Sequence, residues 1–435
     1  MNNEEQKARL KELYRYRRKN SRYRWIWDCM PIFLILFLLL AGVFVGGYFL
    51  GKKHPKDIVS KQDTPKEQDY VAKSTVNYNE NNAYPLEQAM LAAGYETTGD
   101  NTYQKVDSTV TITIRYDFAA ETCTKNQYTF SLEHAYLKTE DGYYIDGEAF
   151  ANIVNYTLSY DENNQILASK MTGYNSDWYA KHMMVTHAMG AVREAKYNTC
   201  YTNSKEALLQ NINLGARIFE VDFGFSSDEQ LTVVHNWKRN AGGARMSLEE
   251  YLSRKIMGTP VTASNFTPMT VEELLEAMVV NKDMVIITDT KSSQYTNEEA
   301  KAQIQQLITK ANALDPDLIL RIVPQVYDKK SYKLLEEVYH FQNVIFTAYN
   351  TDMTGDQILK YVTSKDNIKV ITAPDGDERF DEAHIQALHE SGLYLYNNTI
   401  NDYDFYTELR GIGVDGVYTD LLLQDSVDIY ENSIQ

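Results

Sequence analysis

The chain has 435 residues, with 43% hydrophobic and 24% charged side chains, which excludes a wholly disordered or fibrous protein. Its 43 basic residues face 60 acidic ones, a formal net charge of −17, which argues against gripping nucleic acid through phosphate contacts. Three cysteines, Cys29, Cys123 and Cys200, are too few for a disulfide scaffold or a cysteine-rich zinc module. The length suits two or three domains.

The charge is uneven along the chain. Residues 1–28 hold nine Lys/Arg against four Asp/Glu. Pro31 to Leu50 then runs for twenty residues without a charge. A bilayer core takes about 20 helical residues, so a transmembrane helix is expected over 29–50. A cleaved signal peptide has a shorter apolar core and a small-residue cleavage site. Positive charge marks the cytoplasmic side, so residues 1–28 are expected inside and everything after Leu50 outside the cell, as a single-pass membrane protein. Residues 51–84 are polar and lysine-rich and read as a flexible linker. Cys123 and Cys200 are the pair available for a disulfide on the outer side.

Residues 85–180 read as a small α+β module. Helices are expected over 86–94, ended by Gly94, and over 147–154. Alternation predicts strands over 109–115 and 128–137, and a hairpin around the 161–164 turn. This repeated helix, strand, turn, strand pattern resembles the small surface module named after the N-terminal domain of copper amine oxidases. It carries no reactive constellation, and a spacer or wall-contact role is expected of it.

Residues 181–430 alternate short apolar runs with helical stretches, the pattern of βα units around a parallel sheet. Strands are expected over 183–190, 217–225, 284–290, 318–326, 343–350, 368–374, 393–400 and 416–420. Helices fit 203–212, 270–278, 297–311, 332–341, 355–362, 381–392 and 404–411. Eight such units in this length imply an α/β fold, a (β/α)8 TIM barrel.

Chemistry in a TIM barrel sits at the C-terminal ends of the strands. His187 ends the first strand, and Glu220 and Asp222 share one face of the second. His235 follows a short turn, and Asp289 and Lys291 share a face at the end of the third. Gln325, Tyr349 with Asn350, Asn397 with Asn401, and Thr419 with Asp420 end strands four, five, seven and eight. Charges inside barrel strands are costly unless paired or bound to metal. Taken singly, each of these residues has a bland reading as a structural histidine, a helix cap or a surface lysine. Their convergence on one rim points to a site, and a carboxylate site without cysteine suits a hard divalent cation, Ca²⁺ or Mg²⁺. His182, His340, His384 and His389 receive no role.

The segments at 186–190, 201–223, 231–236, 287–291, 323–327, 347–350, 396–402 and 413–420 together resemble the glycerophosphodiester phosphodiesterase family, within the phosphatidylinositol-specific phospholipase C-like barrel superfamily. The resemblance implies that Glu220, Asp222 and Asp289 hold the cation. It implies His187 and His235 as the general acid/base pair and Lys291 as a phosphate contact; Gln325, Tyr349 and Asn397, from their place at the strand ends, are expected to bind the substrate or its phosphate. The family usually has His-Arg-Gly at the first strand, and here Ala188 stands at the arginine position; Arg193 and Lys238 are the candidates to replace its charge. Asp289 and Asn236 also depart from the usual Glu and Asp. The implied function is metal-dependent hydrolysis of glycerophosphodiesters, lipid headgroups or glycerol-phosphate polymers near the membrane. A non-catalytic surface scaffold on the same barrel and a phospholipase D-like lyase are the alternatives, the latter set by the long 237–268 connection at the rim.

Overall fold

The computed structural model describes residues 78–107, 110–171, 177–181, 184–194, 198–259, 266–291 and 294–424. The expected span at 29–50, its basic flank and most of the linker lie outside the described residues, as does His182. Among the described residues no helix is long and apolar enough to cross a membrane.

The polar linker gives way to structure before residue 85: Ala83–Pro85 is a strand that pairs with Gly142–Asp146. A meander of five antiparallel strands follows, Glu96–Gly99, Thr102–Asp107, Val110–Asp117, Thr122–Lys125 and Tyr128–Ser131. Helices Leu86–Ala92 and Gly147–Val154 and the hairpin Tyr156–Tyr160/Ile166–Lys170 complete the module. The strand expected over 128–137 is in fact two. A turn closed by Ala135 N–H on the Leu132 carbonyl (2.9 Å) breaks it. That turn buries both Leu132 and Ala135, which a continuous strand would place on opposite faces with respect to Glu133 and His134 only by exposing one of them.

Eight parallel strands form the barrel: β1 (Met184–Thr186), β2 (Ile218–Phe225), β3 (Val285–Asp289), β4 (Ile322–Val326), β5 (Val344–Thr347), β6 (Ile368–Pro374), β7 (Tyr394–Asn398) and β8 (Gly416–Thr419). Each pairs with the next, and β1 pairs with both β8 and β2, which closes the sheet. Seven helices cross between strands: α1 (Lys205–Asn213), α2 (Val271–Val280), α3 (Asn297–Leu314), α4 (Lys329–Glu336), α5 (Gly355–Val362), α6 (Glu382–Glu390) and α7 (Tyr403–Gly411). Ser or Thr caps on α1, α2, α3 and α5 accept from the third backbone N–H of each helix, satisfying donors the helix cannot. The first part of the strand expected over 318–326 is a 3-10 turn, Pro316–Arg321, because Asp315 caps it and Pro316 occupies its first position.

Inside the barrel, Val185, Ile218, Val285, Ile287, Val323, Ile345, Val370, Tyr396 and Tyr418 pack together, with Trp178 closing the end where the strands begin. Side chains alternate along a strand, so these residues fix which parity points inward. Glu220 and Asp222 share the parity of Ile218, and Asp289 that of Val285 and Ile287. Above the apolar layers runs a polar belt. Thr372 Oγ1 donates to Thr347 Oγ1, and Thr347 Oγ1 (3.0 Å) and Tyr418 OH (3.2 Å) converge on Gln325 Oε1.

The module docks on the barrel through buried polar groups before β3 and β4, at the strands' N-terminal ends. Lys125 Nζ meets Asp315 Oδ2 at 2.8 Å, and both side chains are 2% exposed. Asn155 Nδ2 donates to Asp315 (2.8 Å) and Asp317 (2.9 Å), while Lys282 Nζ donates to Asn155 Oδ1 (2.7 Å). Lys170 bridges Asp317 (3.1 Å) and Asp107 (3.0 Å). Cys123, in the module core, and Cys200, beside the barrel rim, are both free thiols.

Candidate active site

The inward parity of β2 and β3 carries three carboxylates to the C-terminal rim. Asp222 and Asp289 are direct partners in the β2–β3 register. Glu220, Asp222 and Asp289 each offer one oxygen within 4.8 Å of the other two. All three donors are carboxylate oxygens, so the set fits a hard divalent cation. Lys291 Nζ reaches Asp222 Oδ1 (2.5 Å) and Asp289 Oδ2 (2.8 Å), and Tyr327 OH donates to Asp289 Oδ1. Asn203 grips Asp222 twice: its Nδ2 donates to Oδ2 (2.8 Å), and its Oδ1 accepts from the Asp222 N–H (3.1 Å).

His187 sits on the loop after β1. Ala188, Met189 and Gly190 all adopt positive φ there, and Gly190 N–H closes on the His187 carbonyl at 2.7 Å. A Cβ on Gly190 would meet Asn211 Nδ2 at 2.6 Å and Thr186 Cγ2 at 2.7 Å, so only glycine lets this loop lie flat against α1. The turn aims the Ala188 N–H at Glu220 Oε2 (2.7 Å). Position 188 therefore serves the site through its backbone, with its methyl group fully buried.

His187 Nδ1 lies 2.9 Å from Asp420 Oδ1, and its Nε2 lies 3.9 Å from Glu220 Oε2. Asn401 Nδ2 donates to the other Asp420 oxygen at 2.9 Å. His235 follows the short strand Leu231–Val233, which pairs antiparallel with the end of β2. Its Nδ1 is buried and has no hydrogen-bond partner among the described residues. The ring of Tyr201 stands edge-on between the histidines, 4.9 Å from each.

The charges shape one another. Burial alone would lower the His187 pKa, but the Asp420 hydrogen bond and the charges of Glu220, Asp420 and Asp222 push it up to about 9. Burial lowers that of His235, with Lys291 and His187 adding to the effect against Asp222. Burial and the neighbouring Asp222 raise Glu220. Burial resists ionisation of Asp222, but Lys291, His235 and His187 outweigh it and hold this carboxyl below the usual range.

The structure brings His187, His235, Glu220, Asp222, Asp289 and Lys291 together. Tyr349 stands on the same rim, 45% exposed, its ring 5.8 Å from that of Tyr327. Gln325 points into the barrel, where its amide oxygen accepts from Thr347 Oγ1 and Tyr418 OH in the polar belt. Asn397 points the other way, since Tyr396 holds the inward parity of β7, and its Nδ2 donates to the Ala373 carbonyl (3.1 Å). Arg193, a candidate replacement cation, is tied to Asn211 Oδ1 (2.7 Å) and the Leu421 carbonyl (2.8 Å). Three residues of the site were not placed in it from sequence, Asn203, Tyr201 and Tyr327, and Asp420 was placed on the rim without a role. Asp420 and Tyr327 carry a readable signal, because each lies two residues beyond an inward side chain, Tyr418 and Gln325.

A family model described as the glycerophosphoryl diester phosphodiesterase family matches residues 190–423, more than half of the chain. The chain belongs to this family. It is thus an enzyme of the phosphoric diester hydrolase class. Solved structures similar to it include a candidate glycerophosphoryl diester phosphodiesterase from Silicibacter pomeroyi, 14% identical, covering 57% of this chain and 93% of that one at a TM-score of 0.47. A glycerophosphoryl diester phosphodiesterase from Parabacteroides distasonis is 18% identical over 58% and 86% of the two chains, with a TM-score of 0.44. An Oleispira antarctica phosphodiesterase solved in complex with the product sn-glycerol-3-phosphate is 13% identical over 59% and 99%, with a TM-score of 0.45. No curated protein matches the chain.

Proposed function

We propose that this protein is a membrane-anchored, outward-facing phosphodiesterase that depends on a divalent cation and hydrolyses glycerophosphodiesters or related headgroup diesters. The observation that carries this reading is the meeting of His187 and His235 with Glu220, Asp222 and Asp289 at one rim of a barrel of this family. The charge-free run after a basic segment supports the anchor and its orientation.

Glu220, Asp222 and Asp289 would hold the cation, Ca²⁺ or Mg²⁺, which when bound neutralises charge on the phosphoryl oxygens. Lys291 adds a positive charge beside Asp222 and Asp289, where charge builds in the transition state. One histidine takes the proton of the attacking hydroxyl, from water or from the substrate itself. A new P–O bond forms, the bond to the leaving alcohol breaks, and the other histidine protonates that alkoxide. Asp420, fixed by Asn401, orients the His187 ring through Nδ1 and so directs Nε2 into the site. An internal attacker leaves a cyclic phosphate that water opens by the same exchange in reverse.

The test is release of glycerol phosphate from glycerophosphodiesters by the purified full chain, beside His187→Ala and His235→Ala. Turnover by the wild type that both variants lose by at least about 100-fold is expected. A folded wild type inert on every glycerophosphodiester, including intact headgroup diesters, would contradict the proposal.

A further inference from the structure

The rim has a shortage of positive charge that a diester must overcome. Glu220, Asp222, Asp289 and Asp420 face it, and Lys291 is held between two of them. An incoming phosphodiester is itself an anion, so the site needs a cation that its own carboxylates do not consume.

Arg239 meets that need. It lies on the short helix Trp237–Ala241, directly after His235, where Asn236 caps the helix by accepting the Arg239 N–H (3.1 Å). Its guanidinium carbon lies 5.6 Å from the centroid of the Tyr201 ring, the ring that touches both histidines. Arg239 is exposed, and among the described residues no carboxylate pairs with it. The helix and the Tyr201 loop are pinned to each other by Asn240, which is fully buried: its Nδ2 donates to the Tyr201 carbonyl (2.9 Å) and the Met257 carbonyl (2.6 Å), and its Oδ1 accepts the Asn236 N–H (2.8 Å). Tyr201 itself has φ +61°, an uncommon conformation for a bulky side chain, held by this surrounding network. The result is an exposed guanidinium seated one aromatic ring away from both histidines, on a helix that Asn240 ties to the Tyr201 loop.

We propose that Arg239, seated on Tyr201, is the substrate-binding cation of this site and receives the phosphoryl oxygens of the diester as it enters. This rests on the phosphodiesterase reading above and adds to it the residue that captures the anion. A planar guanidinium suits two phosphoryl oxygens at once, which an ammonium does not. Tyr201 is the positioning residue, and Arg193, tied to Asn211 and the Leu421 carbonyl, does not supply this charge.

The test pairs binding with kinetics in the full chain. Calorimetry with sn-glycerol 3-phosphate should show affinity lower by about 10- to 100-fold in Arg239→Gln, the size of a lost charge-assisted hydrogen bond. Arg239→Lys should recover part of it, Tyr201→Leu should lose most of it, and Lys238→Gln should match the wild type. In turnover, Arg239→Gln should raise KM far more than it lowers kcat and should flatten the salt dependence of kcat/KM. Wild-type turnover with unchanged affinity and KM in Arg239→Gln would overturn the role of Arg239 and leave the hydrolase reading standing. Arg239-dependent binding without turnover would support Arg239 and overturn the hydrolase reading. No binding by the wild type would overturn both.

Discussion

The barrel has a cluster of buried charge at each end, and the two clusters balance differently. At the strand N-termini, Lys125, Lys170 and Lys282 face Asp107, Asp315 and Asp317, with Asn155 bridging them. Three lysines meet three aspartates, each joined by a direct contact or through Asn155. At the rim, Glu220, Asp222, Asp289 and Asp420 face Lys291 and two histidines. Buried charge is tolerated when it is paired, so the lower cluster is complete as a joint between module and barrel. The upper one is left with surplus negative charge, which the proposed cation would complete. Charge balance within the chain thus separates a structural cluster from a functional one, where burial and short distances alone do not.

The sharpest way to break this comparison is to remove one residue from each end. At the rim, His187→Ala or His235→Ala should lower kcat by about 10²- to 10⁴-fold with little change in melting temperature, checked by turnover and circular dichroism. The exposed His340→Ala should change neither. At the joint, Asp315→Ala leaves Lys125 buried without its partner and should cost about 3–5 kcal/mol of stability, a fall in Tm of about 10 °C, read by calorimetry. Turnover of the protein that stays folded should be unchanged at low temperature. A loss of activity there with Tm intact would tie the joint to the chemistry and end the contrast.

Cation binding should separate the ends next. Ca²⁺ or Mg²⁺ at 100 times its Kd should stabilise the wild type by about 2.7 kcal/mol. Glu220→Ala should lose that shift, and Asp315→Asn should keep it. A pH test concerns Lys282, whose pKa burial pushes down to about 7 against the pull of Asp315. Between pH 7 and the ordinary lysine range, the unfolded chain binds more protons at this position than the folded chain does. Stability should therefore rise with pH across that window, by at most about 1.4 kcal/mol per pH unit. Lys282→Met should flatten the rise, as followed by urea unfolding at each pH.

Much of the rim was legible because the period of two in a strand is simple. Once Ile218 and Val285 are read as interior, Glu220, Asp222 and Asp289 must rise on the same face. The same rule, applied to the wrong residue, explains why Asn397 lies off the rim. Asn397 and Asn398 are neighbours at a strand end, and only the buried Tyr396 decides which of them points inward. On β4 the inward row runs through Val323, Gln325 and Tyr327, and it is Tyr327, two residues beyond Gln325, that donates to Asp289. The joint was not legible at all. Lys125 and Asp315 lie 190 residues apart, and nothing in a lysine on a short strand signals that it will be buried against an aspartate in a barrel loop. Tyr201 and Arg239 were missed for a related reason: their pairing depends on two loops that Asn240 draws together.

The most direct test of the surplus at the rim is a metal add-back. The full chain would be stripped with EDTA, assayed on a glycerophosphodiester, then resupplied with Ca²⁺ or Mg²⁺ and assayed again. Turnover that disappears on stripping and returns with the cation in the wild type, but not in Glu220→Ala, is the predicted result. Turnover that persists undiminished in EDTA would show that the rim carboxylates complete themselves without a cation, and the account of this site would be wrong.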